Sequence, residues 1–217
     1  MKVLITGTSS GIGRAIACRF LDCGHEVIGF DVEKSSIENP HYRHFICDVR
    51  DEKSYPDIND VEILINNAGV QNKDDINVNL LGAMKITERY GIHEGIVSIL
   101  NIASSSAHNG AEFPEYSVSK GGLLTYTKNV ALRVAKYGAT CNSLSPGGVI
   151  TELNRPVMED PGMWKQIMDL TPLKKWATAE EIADWAYFMT AVNRSASGQD
   201  ILIDNLEMGN ATFVWPD

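Results

Sequence analysis

Tyr116 and Lys120 stand four residues apart in the run Tyr116-Ser117-Val118-Ser119-Lys120. On a helix, positions i and i+4 share a face, with Cβ atoms about 5–6 Å apart. At roughly 6 Å and an effective dielectric near 20, an ammonium stabilises a phenolate by about 3 kcal/mol, or two orders of magnitude in acidity. A tyrosine beside such a cation moves toward the range of a useful general acid–base. Taken alone, a Tyr and a Lys at this spacing are ordinary on a solvated helix face. Upstream, however, the apolar run ending at Ala103 leads straight into Ser104-Ser105-Ser106. A hydroxyl at a strand's carboxyl end can hold a substrate oxygen and stabilise charge developing on it. Any one of these serines could equally satisfy its own backbone in a turn.

A second constellation lies near the amino end, in Thr6-Gly7-Thr8-Ser9-Ser10-Gly11-Ile12-Gly13. Glycines there permit tight turns and a close main-chain approach to a pyrophosphate. The helix that follows offers free N–H groups and the positive end of its dipole. A lone glycine pattern is weak evidence, since an ordinary tight turn has the same composition. Strand, glycines and helix in that order remove most of this ambiguity. The spacing is T-G-x-x-x-G-x-G rather than G-x-G-x-x-G. Asp31 ends the second strand, where a carboxylate accepts hydrogen bonds from the adenosine ribose hydroxyls and repels a 2′-phosphate. The alternatives are a solvated strand-end Asp or a cap for the turn at Ser35-Ser36. Ser9, Ser10 and Val32 are not basic, as binding of NADP would require, so the expected cofactor is NAD.

These groups need a scaffold, and the periodicity supplies one. Short β-rich runs predict strands at Lys2–Thr6, Glu26–Asp31, His44–Asp48, Val61–Asn66, Ile96–Ala103, Thr140–Ser145 and Ile201–Asp204. Several are nearly all apolar, as expected when helices cover both faces of a sheet. Ile12, Ile16, Phe20 and Cys23 fall on one helical face, and Gly24 supplies the stop. Thr178 and Glu181 form a capping box ahead of a face made of Ile182, Trp185, Ala186 and Met189. The alternation predicts an α/β chain: one Rossmann-like, doubly wound domain over 1–217, with a seven-stranded parallel sheet and helices on both faces. A chain of 217 residues suits one such domain.

Composition narrows the functional class. The net charge of −9 comes with no basic stripe, which argues against nucleic acid as a partner. No run reaches the ~18 apolar residues of a membrane span, and the first residues read as a strand rather than a signal peptide. A cytoplasmic location is expected. Cys18, Cys23, Cys47 and Cys141 form no C-x-x-C pair and have no His at ligand spacing, so buried free thiols and no metal site are expected.

With these motifs in hand, the sequence resembles the short-chain dehydrogenase/reductase family over essentially its whole length. The resemblance rests on the glycine motif, Asn66-Asn67-Ala68-Gly69, the Tyr116–Lys120 pair, the segment Asn142–Thr151 with its Pro146-Gly147-Gly148-Val149, and Gly198-Gln199-Asp200-Ile201. It implies an NAD-dependent oxidoreductase interconverting a secondary alcohol and a ketone. By position, Tyr116 is the acid–base group, and Lys120 tunes it and binds the nicotinamide ribose. Ser104 orients the substrate, with Ser105 as the alternative. Asn79 matches the residue that holds a water in the proton relay to Lys120, while its neighbour Asn77 reads as a surface residue. Gly7, Ser10, Gly11, Ile12 and Gly13 cradle the cofactor and Asp31 faces its ribose. Asp48 and Val49 contact adenine. Asn67, Ala68 and Gly69 line the channel, and Val149 and Thr151 hold the carboxamide end.

Departures from the family pattern are equally visible. Segments 49–65 and 70–78 are short, so two crossovers are expected to be trimmed or partly lost. The family's Asp-Gly-Gly near the carboxyl end appears as Asp204-Asn205-Leu206, which changes the local turn. The region 151–176 carries Leu153, Met158, Met163, Trp164, Ile167 and Met168, broken by Pro156 and Pro161. It reads either as a mobile apolar lid over a hydrophobic or ring-shaped alcohol, or as two short helices packed together. His108 and Glu112 lie near enough in sequence to touch substrate, although isolated loop residues of this kind are usually solvated. The helix after Tyr116 carries Leu123, Leu124, Tyr126, Val130, Ala131 and Val134, more apolar surface than one sheet contact requires, and a homodimer or homotetramer is expected. Two other functions compete. A dinucleotide-sensing regulator on the same fold would be expected to lose the Tyr or the Lys, and both are present. A reductase of carrier-bound 3-oxoacyl chains is disfavoured by Asp31 and by the lack of a basic patch for an acidic carrier.

Overall fold

In β1 (Lys2–Thr6), successive side chains point to opposite faces: Val3 and Ile5 enter one apolar cluster and Leu4 the other. β4 (Ile63–Asn66) repeats the division, with Ile63 and Ile65 on the first side and Leu64 on the second. Such strands require cover on both faces, and the computed structural model, which describes residues 1–111 and 113–209, provides it. α1 (Gly11–Asp22) and α7 (Ala179–Tyr187) seal one face with Ile16, Phe20, Ile182 and Ala186. α2 (Ala83–Tyr90) and α4 (Pro114–Val134) seal the other with Ile86, Tyr90, Tyr126 and Val130, and α3 (Ser106–Asn109), α5 (Arg155–Met158) and α6 (Pro161–Leu170) lie in the connections.

The other strands are β2 (Glu26–Asp31), β3 (Tyr42–Ile46), β5 (Ser98–Ile102), β6 (Thr140–Pro146) and, after the short pair β7 (Val149–Ile150) and β8 (Ala177–Thr178), β9 (Asp200–Ile203). The main sheet has the order β3-β2-β1-β4-β5-β6-β9, all parallel, as expected for the doubly wound class. Winding reverses between β1 and β4, and the crevice at their carboxyl ends is where such folds take ligands. Buried amides brace the centre of the sheet. Asn66 Nδ2 donates to Asn101 Oδ1 at 2.9 Å and Thr87 Oγ1 at 2.8 Å, and Asn101 Nδ2 donates to Thr127 Oγ1 at 2.9 Å.

Several expectations need correction. β3 lies two residues earlier than predicted, its register running from Val27↔Tyr42 to Asp31↔Ile46. The two-residue strands β7 and β8 pair in a small second sheet that the periodicity did not reveal. The first short crossover has only one 3-10 turn, Glu52–Ser54, and side chains bridge the gap: Tyr55 donates to the Val49 carbonyl at 2.5 Å and Tyr90 to the Pro56 carbonyl at 2.7 Å. The second crossover keeps its helix, a π-helical stretch Ile76–Gly82 running into α2, so only its loop is shortened. Cys23 follows the last turn of α1, where Gly24 turns the chain at φ +77°, and it is exposed; Cys18 is half-buried, and only Cys47 and Cys141 are buried. The Thr178–Glu181 capping box is present, but Trp185 faces out.

The argument for assembly also changes. On α4, Leu123, Tyr126, Val130, Ala131 and Val134 are buried in the chain's own core, and Leu124 is half-buried against it. The apolar residues this helix leaves outside are Val118 and Leu132, 63% and 80% exposed. No helix among the described residues is long and apolar enough to cross a membrane.

Candidate active site

The glycine loop is closed by steric necessity. Gly7 has φ +76°, and a Cβ there would lie 2.7 Å from Asn67 Nδ2 and 2.9 Å from Ala68 Cα. A Cβ on Gly13 would lie 1.9 Å from the Gly7 carbonyl oxygen. Strand ends β1 and β4 are thus packed backbone to backbone. Thr6 ties them further, its hydroxyl accepting from the N–H groups of Asn67 and Ala68, both at 3.0 Å. Asn67 Nδ2 donates back to the carbonyls of Thr6 at 3.0 Å and Gly7 at 3.1 Å.

These residues open onto a cleft of ≈ 500 Å³ whose walls include every residue expected to contact the cofactor's adenosine and phosphates: Gly7, Ser10, Gly11, Ile12, Gly13, Asp31, Asp48 and Val49. Asn67, Ala68, Gly69 and Thr151 line the same cleft. Asp31 is fixed by two main-chain donors, Ser9 N to Oδ2 at 2.9 Å and Glu33 N to Oδ1 at 3.0 Å. Asp48 is gripped by Arg50, which donates to both carboxylate oxygens and holds the carboxyl below its usual range. Arg50 reaches on to Asp74 at 2.8 Å and also lines the cleft, a position that no spacing in the sequence indicated.

A cavity of ≈ 270 Å³ adjoins this cleft and shares Ile12, Asn67, Gly69, Val70, Thr151 and Leu153 with it. Ser104, Ser105, Tyr116, Lys120 and Val149 meet there, brought from the end of β5, from α4 and from β7. Lys120 is 5% exposed; its Nζ donates to the Ile102 carbonyl at 2.8 Å and lies 5.7 Å from the centroid of the Tyr116 ring. Burial lowers its pKa to about 8, opposed by the charge of Asp75. Lys120 is therefore still mainly cationic at neutral pH. Ser104 is buried and its hydroxyl accepts from Ser106 N at 3.2 Å and Ser106 Oγ at 3.0 Å, whereas Ser105 donates its N–H to the Pro146 carbonyl at 2.8 Å.

Asn79 sits in the π-helical stretch, a form of winding often found at functional sites. Its side chain clamps Val70, accepting from the N–H at 2.8 Å and donating to the carbonyl at 2.9 Å, and also donates to Ser119 Oγ at 3.1 Å. A Cβ on Gly69 would lie 3.2 Å from Asn79 Oδ1 and 3.5 Å from Lys120 Nζ, so the three residues converge despite the shortened loop. Asn77 is exposed and bonds to Asp74, as a surface residue should.

Two acidic residues near this cavity were not singled out by the sequence. Asp75, one helical turn before Asn79, is 1% exposed, and its Oδ1 has no hydrogen-bond partner among the described residues. The polar run 71–75 in which it stands carries no periodic sign of its burial. Glu207 lines the cavity from the carboxyl-terminal side. It follows the altered turn, where Asn205 and Leu206 have φ +53° and +71° in place of glycines, which costs a Leu about 1–2 kcal/mol. Asp204 holds that turn, accepting from Leu206 N at 3.0 Å and Met208 N at 2.8 Å.

Of the apolar residues expected to form a lid, only Leu153 lines the cavity; the segment folds as short helices at Arg155–Met158 and Pro161–Leu170. Trp164 packs edge-to-face on Trp176 at 5.1 Å. His108 is bound away from the cavity, its Nε2 2.8 Å from Asp200 Oδ2, and Glu112 lies outside the described residues.

Comparisons with known proteins agree with this geometry. A family profile described as enoyl-(acyl carrier protein) reductase matches residues 7–205. Glucose 1-dehydrogenase of Gluconobacter oxydans (strain 621H) is 30% identical over 240 residues, covering 94% of this chain and 90% of that protein. Ligand-free aldohexose dehydrogenase of Thermoplasma acidophilum superimposes with a TM-score of 0.83 at 26% identity, covering 100% of this chain and 97% of the other. A structure from Agrobacterium tumefaciens with bound NADP shares the fold, with a TM-score of 0.84 at 24% identity and 96% of each chain covered. The chain belongs to the short-chain dehydrogenase/reductase family and is an NAD(P)(H)-dependent oxidoreductase.

Proposed function

We propose that the protein uses NAD(H) to interconvert a secondary alcohol and a ketone, with Tyr116 as the general acid–base. The observation that carries this reading is the meeting of Tyr116, Lys120 and Ser104 in one cavity that adjoins the glycine-lined cleft. The cleft suits a dinucleotide: Gly7, Gly11 and Gly13 present bare main chain along its wall, and α1 begins there at Gly11, where first-turn N–H groups lack partners within the helix. Bound NAD supplies the acceptor for the hydride that leaves the alcohol carbon.

The chain's own residues handle the proton and the orientation. Tyr116 takes the hydroxyl proton from the alcohol, or returns it to the ketone oxygen in reverse. Lys120, held on the Ile102 carbonyl with its ammonium 5.7 Å from the centre of the Tyr116 ring, favours the phenolate, by about 3 kcal/mol for charges roughly 6 Å apart at an effective dielectric near 20. It also serves the nicotinamide ribose. Ser104 donates to the substrate oxygen, and its two bonds from Ser106 orient the hydroxyl for that task. Asn79 keeps Val70 and Ser119 in position beside Lys120 and belongs to the proton relay. Val149 and Thr151 hold the carboxamide end, and 151–176 covers the substrate.

Asp31 supports NAD over NADP. Its two main-chain bonds hold the carboxylate at the wall where the ribose hydroxyls would lie. Assembly as a homodimer or homotetramer is part of the same reading, now resting on exposed Val118 and Leu132 of α4 and on Trp185 and Phe188 at the end of α7. Incubation with NAD and a panel of secondary alcohols, polyols, sugars and sterols, followed at the absorbance of the reduced cofactor, tests the activity. Absence of reduced cofactor with every member, despite cofactor binding, would contradict it.

A further inference from the structure

We infer that Glu207 is a specificity residue that selects uncharged polyhydroxylated substrates, and this inference rests on the alcohol-oxidising reading above. Glu207 lines the cavity that contains Ser104, Tyr116 and Lys120. Its Oε1 accepts from Trp176 Nε1 at 2.9 Å and lies 3.0 Å from Thr171 Oγ1, whose one proton is shared with the Ile167 carbonyl at 2.8 Å. Oε2 lies on the Gly147 side, where a Cβ would come within 3.1 Å of it. The bare main chain at Gly147 thus leaves this oxygen room at the cavity wall.

The carboxylate is preorganised by everything around it. Trp176 is wedged over Gly148, where a Cβ would lie 2.0 Å from the indole, and Trp164 packs edge-on against it. The turn that presents Glu207 keeps left-handed Asn205 and Leu206 by means of the Asp204 carboxylate. A fixed carboxylate with one oxygen toward a substrate cavity accepts hydrogen bonds from hydroxyl groups, and charge makes these bonds strong. It repels carboxylates and phosphates by the same charge. The other charged group lining the cavity, among the described residues, is Lys120, whose ammonium disfavours a cationic substrate. The remaining polar lining, which includes Ser105, Gln71 and Asn154, is neutral and suits further hydroxyls. At ≈ 270 Å³, part of which the nicotinamide end of the cofactor would take beside Val149 and Thr151, the cavity leaves room for a sugar or polyol rather than a polycyclic alcohol.

The experiment compares kcat/KM with NAD for neutral pentitols, hexitols and aldohexoses, for aldonates and amino alcohols of like length, and for a simple secondary alcohol. The neutral polyhydroxylated compounds should lead. Glu207→Gln keeps an acceptor for Trp176 and Thr171, so the fold should persist, checked by thermal melting. It should reduce the polyol-to-simple-alcohol ratio of kcat/KM by about 10- to 100-fold, mainly through KM, the effect of replacing a charged acceptor by a neutral one. It should also raise the relative efficiency with aldonates. An unchanged ratio, or a wild-type preference for aldonates, amino alcohols or the simple alcohol, would overturn the inference. Failure of the oxidoreductase reading is distinguishable, because then the simple alcohol also yields no reduced cofactor.

Discussion

Lys120 Nζ donates to the carbonyl of Ile102 at 2.8 Å, tying α4 to the carboxyl end of β5 in the layer where the substrate cavity opens. This bond explains how a buried ammonium is held in place beside Tyr116. It also makes Lys120 sensitive to pH, because burial lowers its pKa to about 8 while the carboxylate of Asp75 works the other way. The cation is present below that value and lost above it. On the proposal that the cation binds the nicotinamide ribose, cofactor affinity should therefore weaken above pH 8, by at most about tenfold per pH unit. Asp75→Asn removes the opposing charge and should move the onset lower. Titration of the NADH dissociation constant between pH 6 and 10 checks both; an onset in the ordinary lysine range, or one unmoved by Asp75→Asn, would count against this electrostatic picture.

Asp31 should set cofactor choice. Charge-assisted bonds to two ribose hydroxyls, set against repulsion of a 2′-phosphate, differ by about 3–4 kcal/mol, a few hundred-fold in favour of NAD. Asp31→Ala should collapse the preference, mainly by weakening NAD, and should also loosen the loop whose Ser9 and Glu33 N–H groups it accepts. Adding Val32→Arg should favour NADP, since Val32 is exposed beside the cleft and Arg grips phosphate in a bidentate fork. The readout is the ratio of kcat/KM for the two cofactors, and equal use of both by the wild-type protein would contradict the assignment.

Gly13→Ala should be severe. Its Cβ would lie 1.9 Å from the Gly7 carbonyl, a main-chain atom that can yield only by moving the loop. Overpacking of this kind typically costs about 1–3 kcal/mol. Thermal melting should show the loss of stability, and calorimetry a fall in cofactor affinity of at least tenfold. A variant that melts and binds as the wild type does would mean the β1–α1 loop is not packed as described.

Assembly is checked by light scattering at micromolar concentration, where a mass of two or four chains is expected. Leu132→Glu, on the exposed face of α4, or Trp185→Glu, on α7, should lower it. A monomeric wild type would contradict the expectation.

Much of this architecture could be read in advance because local signals agreed with one another. The run from Lys2 to Gly13 specifies strand, cradle and helix in twelve consecutive positions, and Tyr116 and Lys120 share a helix face whatever surrounds them. What escaped was set by contacts distant in sequence or by elements too short to show a period. The pairing of Val149–Ile150 with Ala177–Thr178 has two residues in each strand. Asp75 gains meaning only through Lys120, and Glu207 only through Thr171 and Trp176. The apolar residues of α4 implied a second packing partner, but the chain's own apolar clusters beneath that helix absorb them. Cys23 fits the helical period yet follows the last turn of α1, and Trp185 fits it yet faces out although Ala183 and Ala186 beside it are buried.

The central claim is that Tyr116 carries the proton to and from the substrate oxygen, and Tyr116→Phe tests it most directly. The substitution removes only the hydroxyl and leaves the ring that packs beside Lys120 at 5.7 Å. Turnover of an accepted alcohol should fall at least about a thousandfold, within the usual contribution of a general acid–base. NADH should still bind within a few-fold of the wild-type affinity, measured on the same preparation by calorimetry. Turnover within a few-fold of wild type would contradict the account.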